Sequence, residues 1–252
     1  VLNIHNYEWL VAVEERELAE QLLNQSSRAY RRQKNQTDTT WATLLKYHLQ
    51  AQAYQGLYNQ IANLSNERRM AILDENPELL FPRPYQDIVK QAAGQFDISE
   101  ELIYSIMRQE SAFNPKARSP ADAFGLMQVI PEVAQKSAGP AQVSYNQTDD
   151  LFKPSVNIPI GSAFLRELWR KQRGQFVLIV ASYNASEDAI QNWMMTRWRG
   201  NTLEFIEDIP YEETRTYVRL VMRNLIYYSL LNASGRAIDF PEWVLKLNPP
   251  SA

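Results

Sequence analysis

The stretch IYSIMRQESAFNP, residues 103–115, contains one residue that does not fit its pattern. Ile103, Ile106 and Met107 recur at the three- and four-residue spacing of a helix face that packs inward. The next position on that face is Glu110. A carboxylate where a leucine would pack needs an explanation, because burying a charge is costly unless it is paired or neutralised.

Two interpretations of Glu110 follow from this position. In the first, it pairs with an arginine, either Arg108 or a more distant one. In the second, burial disfavours the charged form and raises the pKa, so that the acid can protonate a leaving oxygen near neutral pH. Asn114-Pro115 predicts the end of the helix, which leaves Glu110 in the last turn at the edge of a cavity, where the helix dipole also favours the neutral acid.

Composition favours a helical globular protein and excludes several classes of function. The 252 residues are 45% hydrophobic with only 8 Gly, and their apolar periods are mostly helical, so we predict an all-α fold. With 26 Lys and Arg against 29 Asp and Glu, the chain lacks the basic excess typical of nucleic-acid binding. It has no Cys. Its histidines, His5 and His48, lack metal-ligand spacing and are interpreted as surface or helix-packing residues, so no metal or cofactor is predicted.

The sequence contains no evident membrane span or targeting segment. No apolar run reaches the roughly 18 residues that a span requires, and no signal peptide is visible. The chain starts at Val1 rather than Met, which is compatible with a mature or trimmed product.

The stretch FPRPY, residues 81–85, predicts a junction, since two prolines within three residues favour extended backbone. Residues 1–80 are predicted as a helical supporting region, with long helices at 7–35 and 39–63. Residues 81–252 are predicted as an α-rich globular domain. Within it we expect short extended pieces near 122–128 and helices at 85–93, 131–138, 157–172, 175–184, 187–197, 202–206 and 213–232.

The segment after Glu110 contains residues suited to a ligand site. Ser119 and Gln128 offer short polar groups, and Gly125 permits a close approach of the backbone. Gly139 is expected to end the following helix, as Gly94 is expected to end an earlier one.

The run ESAFNPKARSPADAFGLMQVIP, residues 110–131, resembles the signature of the SLT family of soluble lytic transglycosylases, whose catalytic domain is similar to goose-type lysozyme. The family pattern has the form ES-x-x-NP-x-A-x-S-x-x-G-A-x-GLMQ-x-x-P-x-T-A. The chain matches it at Glu110-Ser111, Asn114-Pro115, Ala117, Ser119, Ala123, Gly125-Leu126-Met127-Gln128, Pro131 and Ala134. Three later segments, NIPIGSAFL (157–165), ASYNAS (181–186) and ETRTYV (213–218), resemble family motifs in the family's order. The resemblance covers about residues 81–235. It implies a lysozyme-like catalytic domain at 81–252, preceded by a helical arm.

The resemblance implies that Glu110 is the catalytic acid and base. Tyr183 would orient the reacting centre through a hydroxyl near Glu110 or near the substrate N-acetyl group. A saccharide groove would be lined by Ser119, Met127, Gln128, Asn184 and Glu213. Structural interpretations stay open for three of these residues: Tyr183 as a core aromatic, Ser119 as a loop cap, and Glu213 as a favourable charge at a helix start.

The activity implied by the resemblance is lytic cleavage of the MurNAc-β-1,4-GlcNAc bond of peptidoglycan with formation of a 1,6-anhydro-MurNAc end. One glutamate would act first as acid and then as base, assisted by the substrate N-acetyl group. The alternatives are a hydrolytic muramidase and a non-catalytic wall-binding protein. Peptidoglycan strands would be the partner, with further cell-wall enzymes possible through the N-terminal helices, and the resemblance implies a periplasmic location.

Two departures from the pattern bear on this interpretation. Asp122 and Ser186 stand where the pattern has glycine. If position 122 needs a positive φ, Asp is among the least costly residues there after Gly. Asp122 is then either a loop residue, a like charge that raises the pKa of Glu110, or a base that directs water and favours hydrolysis.

Overall fold

The structure, a computed structural model, describes residues 7–13, 15–232 and 242–248. The chain divides into two compact units, Val1–Pro84 and Tyr85–Ala252, and the predicted division lies a few residues before this one. The described residues form α-helices and short 3-10 turns, without a strand. The predicted all-α fold is therefore confirmed.

The first unit is organised around one central helix. Its helices are α1 (Tyr7–Ala12), α2 (Arg16–Arg31), α3 (Asp38–Gln50), α4 (Tyr54–Ala62) and α5 (Asn66–Glu75), followed by a 3-10 turn at Pro77–Leu79. α3 packs against α2, α4 and α5. Its apolar residues Trp41, Leu44 and Leu45 are at most 1% exposed, so α3 supplies the core of this unit.

The two long helices predicted for this unit were wrong in length. The stretch 7–35 is divided between α1 and α2, and the stretch 39–63 between α3 and α4. At the second break Gln52 has a φ of 54°, a left-handed conformation that interrupts the helix so that α4 packs back on α3. Neither break contains Gly or Pro. Tertiary packing therefore sets these breaks, and the helical period continues across them.

His48 is a buried helix-packing residue. Its Nε2 lies 3.5 Å from Oγ of Ser27, its Nδ1 has no hydrogen-bond partner, and desolvation lowers its pKa to about 4. Gly56 of α4 approaches so closely that a Cβ there would lie 3.0 Å from Nδ1 of His48. The interpretation of His48 as a packing residue agrees with this position, whereas His5 lies outside the described residues.

The second unit has a hydrophobic helix at its centre. Its helices are α6 (Gln86–Phe96), α7 (Glu100–Ser111), α8 (Pro131–Ala141), α9 (Pro154–Lys171), α10 (Phe176–Asn184), α11 (Glu187–Arg197), α12 (Thr202–Glu207) and α13 (Glu212–Asn232), with 3-10 turns at Thr148–Phe152 and Glu242–Leu245. α10 is buried along Phe176–Ser182 and packs against α9 and α13. α7 packs along α13, while α6 and α8 pack on α9. This arrangement brings the ends of α7 and α10 and the start of α13 to one region.

Two helix ends predicted at glycines were wrong. α6 continues past Gly94 and α8 continues past Gly139. Both helices end instead at non-glycine residues in the left-handed conformation, Asp97 with φ 51° and Gln142 with φ 56°. The backbone N–H of each bonds back to the last turn, to Ala93 O for Asp97 and to Ala138 O and Gly139 O for Gln142. Those bonds satisfy carbonyls that would otherwise lack partners.

Candidate active site

Glu110 is the second-last residue of α7. Ile103, Ile106 and Met107 are 0% exposed, as the helical period predicted, whereas Glu110 is partly exposed. The apolar face therefore leads to a carboxyl group that is largely surrounded by protein but still reaches solvent.

α7 ends immediately after Glu110 through two left-handed residues. Ala112 has a φ of 48° and Phe113 a φ of 65°, so the helix stops before the predicted Asn114-Pro115. Each left-handed non-glycine residue costs about 1–2 kcal/mol. Phe113 is only 1% exposed, and burying its ring contributes about 2–3 kcal/mol. Burial of Phe113 therefore offsets part of the strain and places Glu110 at the mouth of a turn.

The surroundings of Glu110 raise its pKa towards neutral pH. Burial raises its pKa, the hydrogen bond from Tyr217 lowers it, and the charge of Glu213 adds a smaller increase, so that the net value is about 7. The hydroxyl of Tyr217 donates to Oε1 of Glu110 at 2.5 Å. Among the described residues, no arginine forms an ion pair with Glu110. The contacts of Glu110 therefore favour the second interpretation, in which burial raises the pKa of the acid.

The bond from Tyr217 also favours one position for the acid proton. Because Oε1 of Glu110 accepts from Tyr217, the proton of the neutral acid is placed on Oε2, where it is available for donation. Tyr217 was not among the predicted site residues, although it lies in the ETRTYV segment. Only the spatial arrangement identifies it, because a tyrosine in the second turn of a helix is ordinarily a packing residue.

Tyr183 lies near Glu110 but directs its proton elsewhere. Burial and, to a smaller degree, the charge of Glu110 raise the pKa of Tyr183 well above its usual value. Its hydroxyl donates to the backbone oxygen of Met127 at 2.9 Å. Since a phenol has one proton, Tyr183 then has only its oxygen lone pairs left for the site.

Ser119 and Gln128 lie on a loop that is bonded to itself. Phe124 bridges to Arg118 on one side and Val129 on the other, which accounts for the extended pieces predicted near 122–128. Oγ of Ser119 accepts from two backbone N–H groups at 3.1 and 3.2 Å, so its own proton is what a ligand can use. Gln128 donates from Nε2 to two carbonyls at 2.9 and 3.2 Å, which leaves Oε1 as an acceptor.

The two departures from the family pattern have local explanations. Asp122 has a φ of 54°, so the position does require a left-handed conformation. Its exposed carboxylate pairs with Arg118 at 2.8 Å, and the carboxylate that raises the pKa of Glu110 is Glu213 instead. Ser186 caps α11 by accepting from Ala189 N at 3.3 Å. The geometry favours Asp122 as a loop residue.

The predicted binding role of Met127 does not fit its side chain. Met127 is 0% exposed, because its sulfur packs against Gly161 of α9, where a Cβ would lie 2.5 Å from it. The backbone of Met127 faces Tyr183 instead, through the oxygen that accepts the phenolic proton. Met127 therefore contributes a peptide group to this region, with its thioether in the core.

Asn184 and Glu213 are brought together at the rim of the site. Oδ1 of Asn184 accepts from the hydroxyl of Thr214 at 2.7 Å, and Nδ2 lies 3.5 Å from Oε1 of Glu213. Glu213 is exposed in the first turn of α13. The two side chains are thus positioned within reach of solvent and of each other.

Metal and membrane features are not found in the described part of the chain. No cluster of His, Asp or Glu there could hold a metal ion. No helix among those residues is long and apolar enough to cross a bilayer.

The helical fold, with a glutamic acid of raised pKa near Tyr217 and Tyr183, is that of a lysozyme-like domain. The profile of the family described as transglycosylase SLT domain matches residues 87–206. A soluble lytic murein transglycosylase of Salmonella typhimurium is 33% identical over 201 residues, which cover 77% of this chain and 31% of the relative. Residues 87–206 of the chain therefore belong to the transglycosylase SLT domain family, as the motifs predicted.

Solved structures agree with this assignment. The 70 kDa soluble lytic transglycosylase from Escherichia coli is similar with a TM-score of 0.74 and 26% identity, over 96% of this chain and 36% of that one. An inactive glutamate-to-glutamine mutant of lytic transglycosylase Slt from Pseudomonas aeruginosa is similar with a TM-score of 0.71 and 25% identity, over 96% and 36% of the two chains. The chain thus spans about a third of the length of such relatives.

Proposed function

We propose that this chain is a lytic transglycosylase that cleaves the MurNAc-β-1,4-GlcNAc bond of peptidoglycan and leaves a 1,6-anhydro-MurNAc end. The observation that carries the proposal is Glu110, a solvent-reaching acid with a pKa of about 7 beside Tyr217 and Tyr183. The names of the relatives support the substrate class.

In the first step Glu110 acts as the acid. Its Oε2 proton passes to the oxygen that links the two sugars, and the bond from that oxygen to C1 of MurNAc breaks. Positive charge then develops at C1. The N-acetyl carbonyl of the same sugar stabilises this charge, and the phenolic lone pairs of Tyr183 supply negative potential nearby.

In the second step Glu110, now ionised, acts as the base. It takes the proton from O6 of MurNAc, and O6 attacks C1 to close the anhydro ring. Glu110 recovers its proton and no water is consumed, so one carboxyl group is sufficient. A pKa near the working pH suits both halves of this cycle, because the group must give up and regain a proton.

The remaining residues give the groove a defined polarity. The Oγ of Ser119 already accepts hydrogen bonds within the loop, so Ser119 offers its hydroxyl proton to a ligand. The Nε2 of Gln128 already donates within the loop, so Gln128 offers its Oε1 as an acceptor. Asn184 and Glu213 extend this polar lining at the rim. The pattern suits a glycan, which presents alternating hydroxyl, acetamido N–H and carbonyl groups.

Glu110 is required for cleavage in this mechanism. The Pseudomonas aeruginosa relative, inactive as a glutamate-to-glutamine mutant, supports one essential glutamate. The substrate places the action in the bacterial envelope, and we propose a periplasmic location. Residues 1–80 are proposed as the supporting region through which other cell-wall enzymes bind.

The test is mass spectrometry of purified sacculi digested with the protein. We expect muropeptides lighter by one water than their reducing-end counterparts, and loss of about 10²–10⁴-fold in rate for Glu110→Gln. Asp122→Asn is the matched control, because its carboxylate is exposed and paired with Arg118, and it retains activity. Reducing ends alone would establish a muramidase. Binding without cleavage would establish a wall-binding protein, and unchanged cleavage by Glu110→Gln would refute the role of this residue.

A further inference from the structure

Asn157 of α9 forms three hydrogen bonds with the backbone around the site. Its Nδ2 donates to Phe124 O and to Leu151 O, each at 2.8 Å. Its Oδ1 accepts from the N–H of Met127 at 2.8 Å. The side chain is 0% exposed, so these bonds are shielded from water, and losing any of them leaves a buried polar group without a partner.

The loop is built to receive this amide. Gly125 has a φ of 74°, and a Cβ there would lie 2.2 Å from Leu151 O and 2.5 Å from Nδ2 of Asn157. Only glycine leaves the space that the Asn157 side chain fills. The loop residues on both sides of Gly125 are thereby held to α9 through a single side chain.

The peptide group held by Asn157 belongs to the residue that receives the proton of Tyr183. Met127 N is bound by Asn157, and Met127 O accepts from the hydroxyl of Tyr183. The orientation of this hydroxyl therefore depends on where the Met127 residue is held.

We propose that Asn157 is a positioning residue for the reaction: by fixing Met127, it keeps the proton of Tyr183 turned away from Glu110 and leaves the phenolic lone pairs facing the reacting centre. This inference rests on the proposed function for its kinetic consequence. Its structural consequence, the direction of the hydrogen bond from the Tyr183 hydroxyl, does not depend on that function.

The groups that face Glu110 determine the direction in which its pKa should change. Tyr217 and Glu213 come from α13 and Tyr183 from α10. If the Met127 carbonyl is released, the Tyr183 hydroxyl is free to donate to the ionised Glu110. A second donor stabilises the carboxylate, so the pKa of Glu110 falls below about 7.

The experiment is a carbon-13 NMR titration of the Glu110 carboxyl in four proteins: wild type, Asn157→Ala, Tyr183→Phe and the double variant. We expect Asn157→Ala to lower the pKa of Glu110 in the wild-type background and to leave it unchanged in the Tyr183→Phe background. The cycle isolates the path through Tyr183, since a coupling between the two sites appears as non-additivity. Ser162→Ala is the control, because this buried serine on the same helix has no hydrogen-bond partner.

Kinetics give a second readout. Asn157→Ala should lower kcat by about tenfold to a hundredfold with little change in KM, because a misplaced group weakens transition-state stabilisation more than binding. Where Asn157→Ala fails to fold, Asn157→Asp replaces it, since it keeps an acceptor for Met127 N and, when protonated, one donor. The expected fall in the pKa of Glu110 is then smaller but has the same sign.

Two results would overturn the inference. One is a lowered melting temperature with an unchanged Glu110 titration, which assigns Asn157 to stability alone. The other is an equal shift with and without the Tyr183 hydroxyl. The titration does not depend on turnover, so a protein that yields no anhydro products but shows the coupled shift would refute the proposed function and leave the role of Asn157 intact.

Discussion

Tyr217 and Tyr183 give the carboxyl group of Glu110 two different neighbours. Tyr217 donates to Glu110, whereas Tyr183 donates to Met127. Burial and Glu213 raise the pKa of Glu110 while the Tyr217 bond lowers it. The pKa of about 7 is therefore the balance of these opposing effects. Without the Tyr217 hydroxyl, the pKa would be higher and Glu110 would stay protonated over more of the working pH range.

Removing that hydroxyl should shift the activity profile. We expect Tyr217→Phe to raise the pKa of Glu110 above about 7, because the ionised form loses a donor. The pH optimum moves to the alkaline side. The rate at pH 7 falls about tenfold, because the carboxylate that forms as Glu110 gives up its proton loses one hydrogen bond to a charged group. Activity measured between pH 5 and 9 checks this. Tyr211→Phe, an exposed tyrosine just before α13, is the control, and an unmoved profile for Tyr217→Phe would contradict the assignment.

Glu110 should also make the folded state less stable at higher pH. Its pKa is raised from 4.5 to about 7 in the folded protein. Any stability from this group is therefore fully present below pH 4.5 and is lost as the pH rises through 7, up to about 3 kcal/mol. Glu110→Gln removes this dependence. We expect the variant to match wild type near pH 4.5 and to exceed it at pH 8 in urea denaturation, whereas a lower stability at pH 8 would argue for a structural role.

The sequence was sufficient to identify Glu110 but not its partners. A carboxylate at the end of an apolar helical face is visible in the chain itself, and the motif after it indicates catalysis. Tyr217 lies 107 residues away, and its direction depends on how α7 and α13 pack. Met127 was assigned to the groove because its motif borders it, yet a side chain 0% exposed belongs to the core.

At the scale of elements, helix ends are the least predictable feature. Asp97, Ala112 and Gln142 all end helices in the left-handed conformation, although sequence rules expect glycine at that position. The interior positions were predicted well, because a repeating apolar period reports burial over several turns. An end depends instead on one residue whose strain is offset by packing elsewhere, which no local pattern reveals.

Two glycines should respond in opposite directions to the same substitution. Gly125→Ala should destabilise the protein by about 3 kcal/mol or more, because its Cβ would overlap Leu151 O and the φ of 74° is unfavourable. Gly94→Ala, in the last turn of α6 with nothing within 4 Å of the new Cβ, should stabilise it by about 0.5–1 kcal/mol. Chemical denaturation of both variants measures this, and a Gly125→Ala protein of unchanged stability would contradict the described loop.

At the scale of the whole molecule, the two units contain titrating groups of opposite effect. Glu110 in the second unit favours folding at lower pH. His48 in the first unit has a pKa lowered to about 4, so its burial is fully tolerated above pH 6.5 and costs stability as the pH falls from 6.5 to 4. Acidification should therefore weaken one unit while it strengthens the other.

Hydrogen exchange followed by mass spectrometry can measure the pH dependence of stability for each unit separately. Between pH 7 and 4.5, corrected for intrinsic rates, we expect α3 to lose up to about 3 kcal/mol of protection and α7 to gain. His48→Leu should remove the loss in α3 because nothing remains to titrate there. Parallel changes in both units, or a loss that persists in His48→Leu, would show that other groups dominate.

The overall organisation was only partly accessible from the chain. FPRPY indicates a junction because proline restricts the backbone, and the structure divides close to it. The length of individual helices in the first unit was not accessible, since Gln52 reverses the chain without any turn-forming residue beside it. Period and composition predict that helices form, whereas packing decides how many.

The close contact between Met127 and Gly161 has a chemical consequence as well. Oxidants convert methionine to its sulfoxide according to how accessible the sulfur is. Met70 and Met195 are 60% and 68% exposed, whereas the thioether of Met127 is shielded by α9. We therefore expect peroxide to oxidise the two surface sulfurs before Met127, so that the packing of Met127 against α9 persists.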